Sequence, residues 1–187
     1  ELFIRNWNVY RKVVAADYMN HAAIGEKIKE ALAGINTPLR VLDAGCGDAT
    51  VTLGLLKGKQ IAMYTGIDLS APALELAAAA LQEEWIPYAL EEGAIEERIP
   101  AYEGECDLLH MSFVLHHLPD VLKEKVVYHC AAKLKSGGLL ILVDAYRKAG
   151  QTREAYLDTY MQRLNGWTLL TPEEKADVET HIRSFDF

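Results

Sequence analysis

Apolar residues in this chain gather into short runs that alternate with longer segments of helical periodicity. The short runs predict buried strands at residues 107–112 and 139–145, and the longer segments predict helices at residues 73–81 and 121–134. Ser70 precedes the first of these helices and is expected to cap it. Strands that alternate with helices favour a parallel sheet with helices on both faces. The pattern therefore predicts a doubly wound, mostly parallel α/β fold in three layers.

Helical periodicity also marks both ends of the chain. Near the start, the apolar spacing predicts one amphipathic helix over residues 8–33. Beyond Tyr146 two more helices are expected, and the second begins with a capping box and a proline at Thr171-Pro172-Glu173-Glu174. We expect a single domain over residues 1–187, with a helical cover at 1–33, a core at 39–146, and a helical lid at 152–187 that we expect to be truncated.

Composition and charge narrow the class of protein. The 187 residues are 50% hydrophobic, which is enough to build one good-sized core. The formal charge of −8 argues against nucleic acid, because phosphate binding relies on clustered Lys and Arg. Three cysteines are too few for a disulfide framework and indicate a reducing compartment. No apolar run approaches the roughly 20 residues that span a bilayer, so we expect a cytoplasmic protein with no membrane partner.

The most informative segment is a glycine turn at the end of the first predicted strand. Gly45 and Gly47 permit positive φ and let a ligand approach the backbone, and the next helix would point free amide N–H groups at that ligand. Asp68 ends the following apolar run, where an acid suits a ribose diol. A dinucleotide site would need a third glycine at Thr50. The early acid, Asp43, would repel a pyrophosphate and favours a cation.

Further segments follow the glycine turn in a recognisable order. They are Glu92-Gly93-Ala94-Ile95-Glu96-Glu97-Arg98-Ile99-Pro100, Cys106-Asp107-Leu108-Leu109-His110-Met111-Ser112, Leu115-His116-His117-Leu118-Pro119-Asp120 and Leu134-Lys135-Ser136-Gly137-Gly138. Together with the glycine turn, the series resembles the class I (Rossmann-like) S-adenosylmethionine-dependent methyltransferase family over residues 39–146. The resemblance implies that family's fold, its cofactor S-adenosyl-L-methionine and its activity. The family's antiparallel hairpin after strand five is expected to be missing, and a bare strand edge would favour a homodimer.

The resemblance assigns the cofactor contacts to a defined set of residues. They are Asp43, Ala44, Gly45, Cys46, Gly47, Asp68, Leu69, Gly93, Ala94, Ile95, Met111 and Ser112. Among them, Asp68 is expected to hold the ribose hydroxyls. Ala94 stands where the family has an aspartate for the adenine amino group. Adenine recognition is therefore expected from backbone groups of Ala94 and Ile95, or from Glu92 or Glu96.

The sequence does not identify a general base. Methyl transfer needs one only when the acceptor atom carries a proton that must be removed. His116, Tyr18 and His21 are the candidate catalytic or pocket residues, the last two because the N-terminal helix is expected to cover the site. His117 is expected to be structural. The histidines and Cys106 lack the spacing of a zinc site, so we expect no metal.

Three functions remain open at this point. The leading one is S-adenosylmethionine-dependent methyl transfer to a small-molecule acceptor, because Met111-Ser112-Phe113-Val114 lacks the acid or Asn, two prolines and aromatic residue typical of methylases that act on nucleic-acid bases. The second is a module that binds S-adenosylmethionine or S-adenosylhomocysteine, or an inactive methyltransferase-like subunit, as Ala94 and the missing base would allow. The third, a nicotinamide oxidoreductase, is disfavoured by Thr50 and Asp43.

Overall fold

A computed structural model describes residues 7–185 of the chain. The strands are β1 (Leu39–Ala44), β2 (Ile61–Asp68), β3 (Tyr88–Glu92), β4 (Cys106–Ser112) and β5 (Leu134–Val143). The helices are α1 (Trp7–Ala15), α2 (His21–Leu32), α3 (Thr50–Leu55), α4 (Ala71–Glu83), α5 (Ile95–Ala101), α6 (Asp120–Lys133), α7 (Arg153–Asn165) and α8 (Pro172–Phe185), with a 3-10 helix at Leu115–His117. The five strands are all parallel, in the order β3-β2-β1-β4-β5. The predicted doubly wound parallel sheet is confirmed.

Alternation along the central strand β1 produces the three layers. Leu39 and Val41 face the side where α2, α3 and α4 pack, whereas Leu42 and Ala44 face the side where α5 and α6 pack. All four side chains are at most 1% exposed. Burial of each larger one contributes about 1.5–3 kcal/mol relative to exposure. A parallel sheet covered on both faces therefore forms the core and fixes where its strands end.

The order of the strands defines the edge at which a ligand can bind. From β1 the chain adds β2 and β3 on one side and then β4 and β5 on the other, so the connections diverge between β1 and β4. Open α/β sheets bind ligands at such a switch point, outside the carboxyl ends of the strands. In the register, Asp43 lies beside Gly66 of β2 and His110 of β4. Asp43 and His110 thus occupy neighbouring positions on one face of the sheet, just below this edge.

The predicted single helix over residues 8–33 is wrong, because the chain forms two helices, α1 and α2, with a turn between them. Asp17 and Asn20 in this turn have positive φ of 53° and 60°, which Asp and Asn tolerate better than most other non-glycine residues. Oδ1 of Asp17 also accepts a hydrogen bond from the N–H of Ala22 at 2.9 Å. This bond satisfies an otherwise free amide in the first turn of α2. Local side-chain chemistry therefore interrupts the continuous periodicity.

Helices α1, α7 and α8 pack on one another in an apolar cluster separate from the two sheet faces. Val9 of α1 belongs to this cluster with Leu157 of α7 and Val178 of α8. An ion pair of 2.6 Å between Lys12 Nζ and Glu174 Oε1 also joins α1 to α8. Among residues 7–185, no helix is long and apolar enough to cross a bilayer. The start and the end of the described chain thus form one helical layer, while the predicted limits of cover, core and lid remain predictions.

Two predicted helix caps are confirmed. Ser70 Oγ accepts from the N–H of Ala73 at 3.3 Å at the start of α4. Before α8, Thr171 Oγ1 accepts from the N–H of Glu174 at 3.2 Å, and Glu174 Oε2 accepts from the N–H of Thr171 at 2.9 Å. This reciprocal pair is a capping box. Both caps could be predicted because each depends on residues three positions apart.

Strand β5 begins earlier than the predicted range 139–145, since pairing with β4 starts at Leu134. A shift in register places the glycine turn inside the strand as a bulge, where Gly137 has a φ of 80°. In the part of the chain that the structure describes, no strand follows Val143. Leu142 on this edge strand is 44% exposed.

Candidate functional site

A cleft of about 450 Å³ opens at the carboxyl edge of the sheet, over the ends of β1 to β4. Its size falls in the range of roughly 300–1,000 Å³ that is typical of small-molecule sites. The predicted cofactor residues that line it are Gly45, Cys46, Gly47, Asp68, Leu69, Gly93, Ile95 and Ser112. Asp43, Ala44, Ala94 and Met111 are not on its surface. The structure thus brings most of the predicted set to one cleft, and their contacts with a cofactor remain a proposal.

The glycine turn is held against β2 by backbone hydrogen bonds. The N–H groups of Gly45 and Cys46 donate to the carbonyl of Ile67 at 2.7 and 3.0 Å. Gly45 has a φ of 76° and Gly47 a φ of 53°, in the region where glycine is favoured. Burial raises the pKa of the Cys46 thiol, so this side chain stays protonated and acts as a small filler. The turn offers mainly backbone to the cleft, as its sequence predicts.

Asp68 is engaged with the backbone on both sides of its carboxylate. Oδ2 accepts from the N–H of Gly47 at 2.8 Å, and Oδ1 accepts from the N–H of Ser70 at 2.8 Å. The Asp68 carboxylate is therefore already bonded to the protein, and its contact with ribose hydroxyls stays a prediction. Each carboxylate oxygen has a further lone pair that a ligand hydroxyl can use. Burial raises the pKa of Asp68, while the bonds from Ser70 and Gly47 oppose the shift.

Asp43 lies beneath the floor of the cleft and is 1% exposed. Its Oδ2 accepts from the Tyr64 hydroxyl at 2.5 Å, and its Oδ1 lies 2.9 Å from Nδ1 of His110. The same Nδ1 lies 3.1 Å from Thr52 Oγ1. Burial raises the pKa of Tyr64, so its hydroxyl keeps the proton that it donates. The expected contact of Asp43 with the cofactor is therefore corrected: its partners are the buried side chains of Tyr64 and His110, and His110 lines the cleft together with Thr52.

Three other predicted residues also lie off the cleft. Ala44 and Met111 are at most 1% exposed and point into the core on the α5 and α6 side, because side chains alternate along a strand. Ala94 is the residue before α5, and its side chain accepts no capping hydrogen bond. Of the groups considered for adenine, Ile95 and Glu96 line the cleft. The cleft therefore offers a backbone segment and a glutamate at this end.

Tyr18 and His21 lie outside the cleft lining. The Tyr18 ring stacks on Trp167 with centroids 4.8 Å apart, and its hydroxyl accepts from the N–H of Leu169 at 2.8 Å. His21 lies against the Phe113 ring at 5.3 Å, and burial lowers its pKa. Packing accounts for Tyr18, and His21 contacts Phe113, which lines the cleft.

His116 turns away from the cleft toward a second cavity of about 640 Å³. The His116 ring Nδ1 lies 2.5 Å from Asp144 Oδ1, and the His116 backbone N–H donates to Asp144 Oδ2 at 3.1 Å. The second cavity lies beside β5 and includes Arg147 and Arg153. His116 and its neighbour in sequence thus face different cavities.

His117, which we expected to be structural, lines the cleft together with His181 of α8. Their Nε2 atoms lie 3.1 Å apart. Burial lowers the pKa of His117 to about 2 and that of His181 to about 4, so both rings are neutral at pH 7. Within residues 7–185, no group of three or more His, Cys, Asp or Glu side chains is arranged to hold a metal ion. Sequence reasoning missed His181 because only folding brings α8 to this edge.

Trp7 of α1 covers one end of the cleft. Its Nε1 donates to Asp48 Oδ2 at 2.9 Å, and its ring lies over Gly47, where an added Cβ would come within 2.3 Å. Tyr10, one turn further on, also lines the cleft. Position 7 precedes the helix start expected at residue 8, so this aromatic contact was not foreseen.

The switch-point cleft, the glycine turn and the acid that binds it define a class: Rossmann-like α/β proteins with a nucleoside site. Within this class, the chain belongs to the methyltransferase domain family, whose profile matches residues 16–186. The resemblance expected from the sequence is thus confirmed.

Several curated methyltransferases are similar to this chain. An uncharacterised methyltransferase of Synechocystis is 32% identical over 108 residues, which are 58% of this chain and 48% of that protein. The ubiquinone biosynthesis O-methyltransferase of Histophilus somni is 31% identical over 108 residues, 56% of this chain and 44% of that protein. The chain therefore spans about half the length of these relatives or less.

Solved structures share the fold. The YcgJ protein of Bacillus subtilis is 26% identical, with a TM-score of 0.59 over 77% of this chain and 58% of that chain. The magnesium protoporphyrin IX methyltransferase of Synechocystis, with bound S-adenosylmethionine, is 20% identical, with a TM-score of 0.56 over 84% of this chain and 71% of that chain.

Proposed function

We propose that this chain binds S-adenosylmethionine in the cleft and transfers its methyl group to a small-molecule acceptor by in-line displacement. The observation that carries the proposal is the Asp68 carboxylate on the cleft wall, which accepts from the N–H groups of Gly47 and Ser70 at 2.8 Å each. These bonds tie the glycine turn to an acid that suits a ribose diol. Membership of the methyltransferase family supports the same cofactor.

The charge of the cleft favours a cationic cofactor over a diphosphate. The described residues that line it include Asp48, Asp68 and Glu96 and no lysine or arginine. A diphosphate would meet these carboxylates without a countercharge, whereas a sulfonium and an ammonium are attracted to them. This distribution supports S-adenosylmethionine and argues against a nicotinamide dinucleotide.

The order of the strands suggests how the cofactor would lie in the cleft in this proposal. The adenosine lies over the ends of β2 and β3, between Leu69 and Ile95, and the sulfonium points toward β4. The acceptor then lies beyond β4, near Phe113, His117 and His181, which line the same cleft. These two neutral rings share a hydrogen bond between their Nε2 atoms, so their Nδ1 atoms retain one N–H donor and one lone pair for a hydroxyl or amine.

The proposed reaction asks little of the protein beyond placement, because the cofactor carries the reactive methyl group. Holding the acceptor about 3–3.5 Å from that methyl can supply about 7–11 kcal/mol of the barrier as proximity. A net charge of −8 supports a small molecule rather than a nucleic acid as the acceptor. The buried free thiols of Cys46, Cys106 and Cys130 support a reducing, cytoplasmic setting. A homodimer paired along β5 stays a prediction.

Calorimetry on wild type, Asp68→Ala and a control tests the cofactor. We expect wild type to bind S-adenosylmethionine and S-adenosylhomocysteine and not NAD, and Asp68→Ala to lose at least tenfold in affinity because two ribose hydrogen bonds and the tie to Gly47 are removed. Asp158→Asn, an exposed acid on α7, is the matched control and should bind like wild type. Tight binding of NAD alone, or unchanged affinity in Asp68→Ala, would contradict the proposal.

Turnover separates an enzyme from a binding module. Wild type is incubated with S-adenosylmethionine labelled on the methyl group and a panel of small phenols, amines and carboxylic acids. Label should appear in at least one acceptor, and Asp68→Ala should reduce the rate. Cofactor binding with no transfer to any acceptor would favour the binding module.

A further inference from the structure

The imidazole of His110 is held in one orientation beneath the glycine turn. It is 3% exposed and lines the cleft, on the strand beside Asp43. Its Nδ1 lies 2.9 Å from Asp43 Oδ1 and 3.1 Å from Thr52 Oγ1. A carboxylate only accepts hydrogen bonds, so Nδ1 carries a hydrogen and donates it to Asp43. The Tyr64 hydroxyl, 2.5 Å from the other oxygen of Asp43, holds the carboxylate in place.

In the tautomer that carries its one hydrogen on Nδ1, the second ring nitrogen of His110, Nε2, is a hydrogen-bond acceptor. Nε2 is buried and has no hydrogen-bond partner among the described residues. An unsatisfied buried polar atom is destabilising, and native proteins contain few of them, so each calls for a partner such as a water or an ion. Since Nδ1 faces Asp43, Nε2 lies on the opposite side of the ring. The surroundings of His110, whose side chain lines the cleft, are therefore one hydrogen-bond donor short.

The surroundings indicate which donor fits. Asp43, Asp48 and Asp68 all lie close enough to raise the pKa of Tyr10 beyond the effect of burial, so this end of the cleft carries a negative field. No lysine or arginine among residues 7–185 lines the cleft to receive a carboxylate. A cationic N–H donor is favoured by the lone pair of His110 Nε2 and by the negative electrostatic field of the three aspartates.

We infer that His110, oriented by Asp43, accepts a hydrogen bond from the ammonium of the cofactor's amino-acid tail and selects nucleosides that carry it. The inference rests on the proposed function. Asp43 then has an indirect role, because it sets the tautomer of His110, and Nε2 of His110 contacts the ligand. The position between the ends of β1 and β4 agrees with this role, because the adenosine is assigned to β2 and β3.

Ligands that differ only in the tail test the inference by calorimetry. The probes are S-adenosylhomocysteine, its desamino analogue, which keeps the carboxylate, and 5′-methylthioadenosine, which has neither group. His110→Asn keeps an amide donor near the position of Nδ1 and removes the group at Nε2, whereas His110→Gln places an amide oxygen near Nε2. We expect His110→Asn to lose at least tenfold in affinity for S-adenosylhomocysteine and less than twofold for the other two probes. His110→Gln should stay within about threefold of wild type for all three.

Each remaining outcome decides against a stated point. Equal losses for all three probes in His110→Asn would show that His110 only shapes the cleft and would overturn the inference. A selective loss for both ligands that carry the carboxylate would assign His110 to that group instead and would also overturn it. A wild type that binds none of the probes would refute the proposed function itself. Unchanged affinity in His110→Asn, with normal binding by wild type, would refute the inference alone.

Discussion

Replacement of His181 by Gln should make the protein less sensitive to acid. His181 is 6% exposed, and its burial lowers its pKa from 6.5 to about 4. Between pH 6.5 and about pH 4, His181 is protonated in the unfolded chain and neutral in the folded chain. Stability conferred by the neutral ring is therefore complete above pH 6.5 and is lost as the pH falls toward 4. Gln keeps a polar amide near the Nε2 of His117, 3.1 Å from the original ring, and does not titrate.

The magnitude follows from the size of this window. Each pH unit over which one state is protonated and the other is not changes the free energy of unfolding by about 1.4 kcal/mol. From pH 7 to pH 5 the full effect is about 2 kcal/mol, which solvent at the cleft reduces to about 1–2 kcal/mol. Wild type should lose this much more stability than His181→Gln over the same interval.

Urea denaturation followed by tryptophan fluorescence measures the difference at pH 8, 7, 6 and 5. The pH 8 value is the internal control, because His181 is neutral in both states there and any difference reports packing alone. Curves that stay parallel from pH 8 to pH 5 would show that the folded protein protonates His181 as readily as the unfolded chain does. That result would refute the buried, neutral pair at the cleft.

Two further substitutions test the floor of the site. Gly45→Ala should destabilise the fold and abolish cofactor binding, because the added Cβ would lie 2.1 Å from Val114 Cγ2 at a residue with a φ of 76°. Gly34→Ala is the control and should be nearly neutral, because nothing lies within 4 Å of the added Cβ. Equal melting temperatures for the two variants would contradict this prediction. Tyr64→Phe should cost about 1–3 kcal/mol in urea denaturation, since Oδ2 of the buried Asp43 loses its donor, and an unchanged midpoint would show that water replaces the hydroxyl.

Local rules worked where the partners are close in sequence. The caps at Ser70 and Thr171 each depend on a residue three positions away, and both were predicted. The same local reasoning failed between residues 8 and 33, where Asp17 and Asn20 turn the chain despite an unbroken apolar pattern. Periodicity reports which face is buried, and it does not register a turn that two polar residues stabilise.

The sequence by itself determined the parallel α/β sheet, the glycine turn and the position of Asp68 at the end of a strand. These features depend on short stretches of chain, in which apolar periodicity marks the strands and helices and glycine marks positions with positive φ. Only the tertiary structure decided what lies around that turn. Strand pairing buried Asp43 against His110, so a residue predicted to contact the cofactor instead holds another side chain in place. Packing of α8 brought His181 to His117 across 64 positions of sequence. Such contacts depend on how distant elements pack, and no local pattern encodes that.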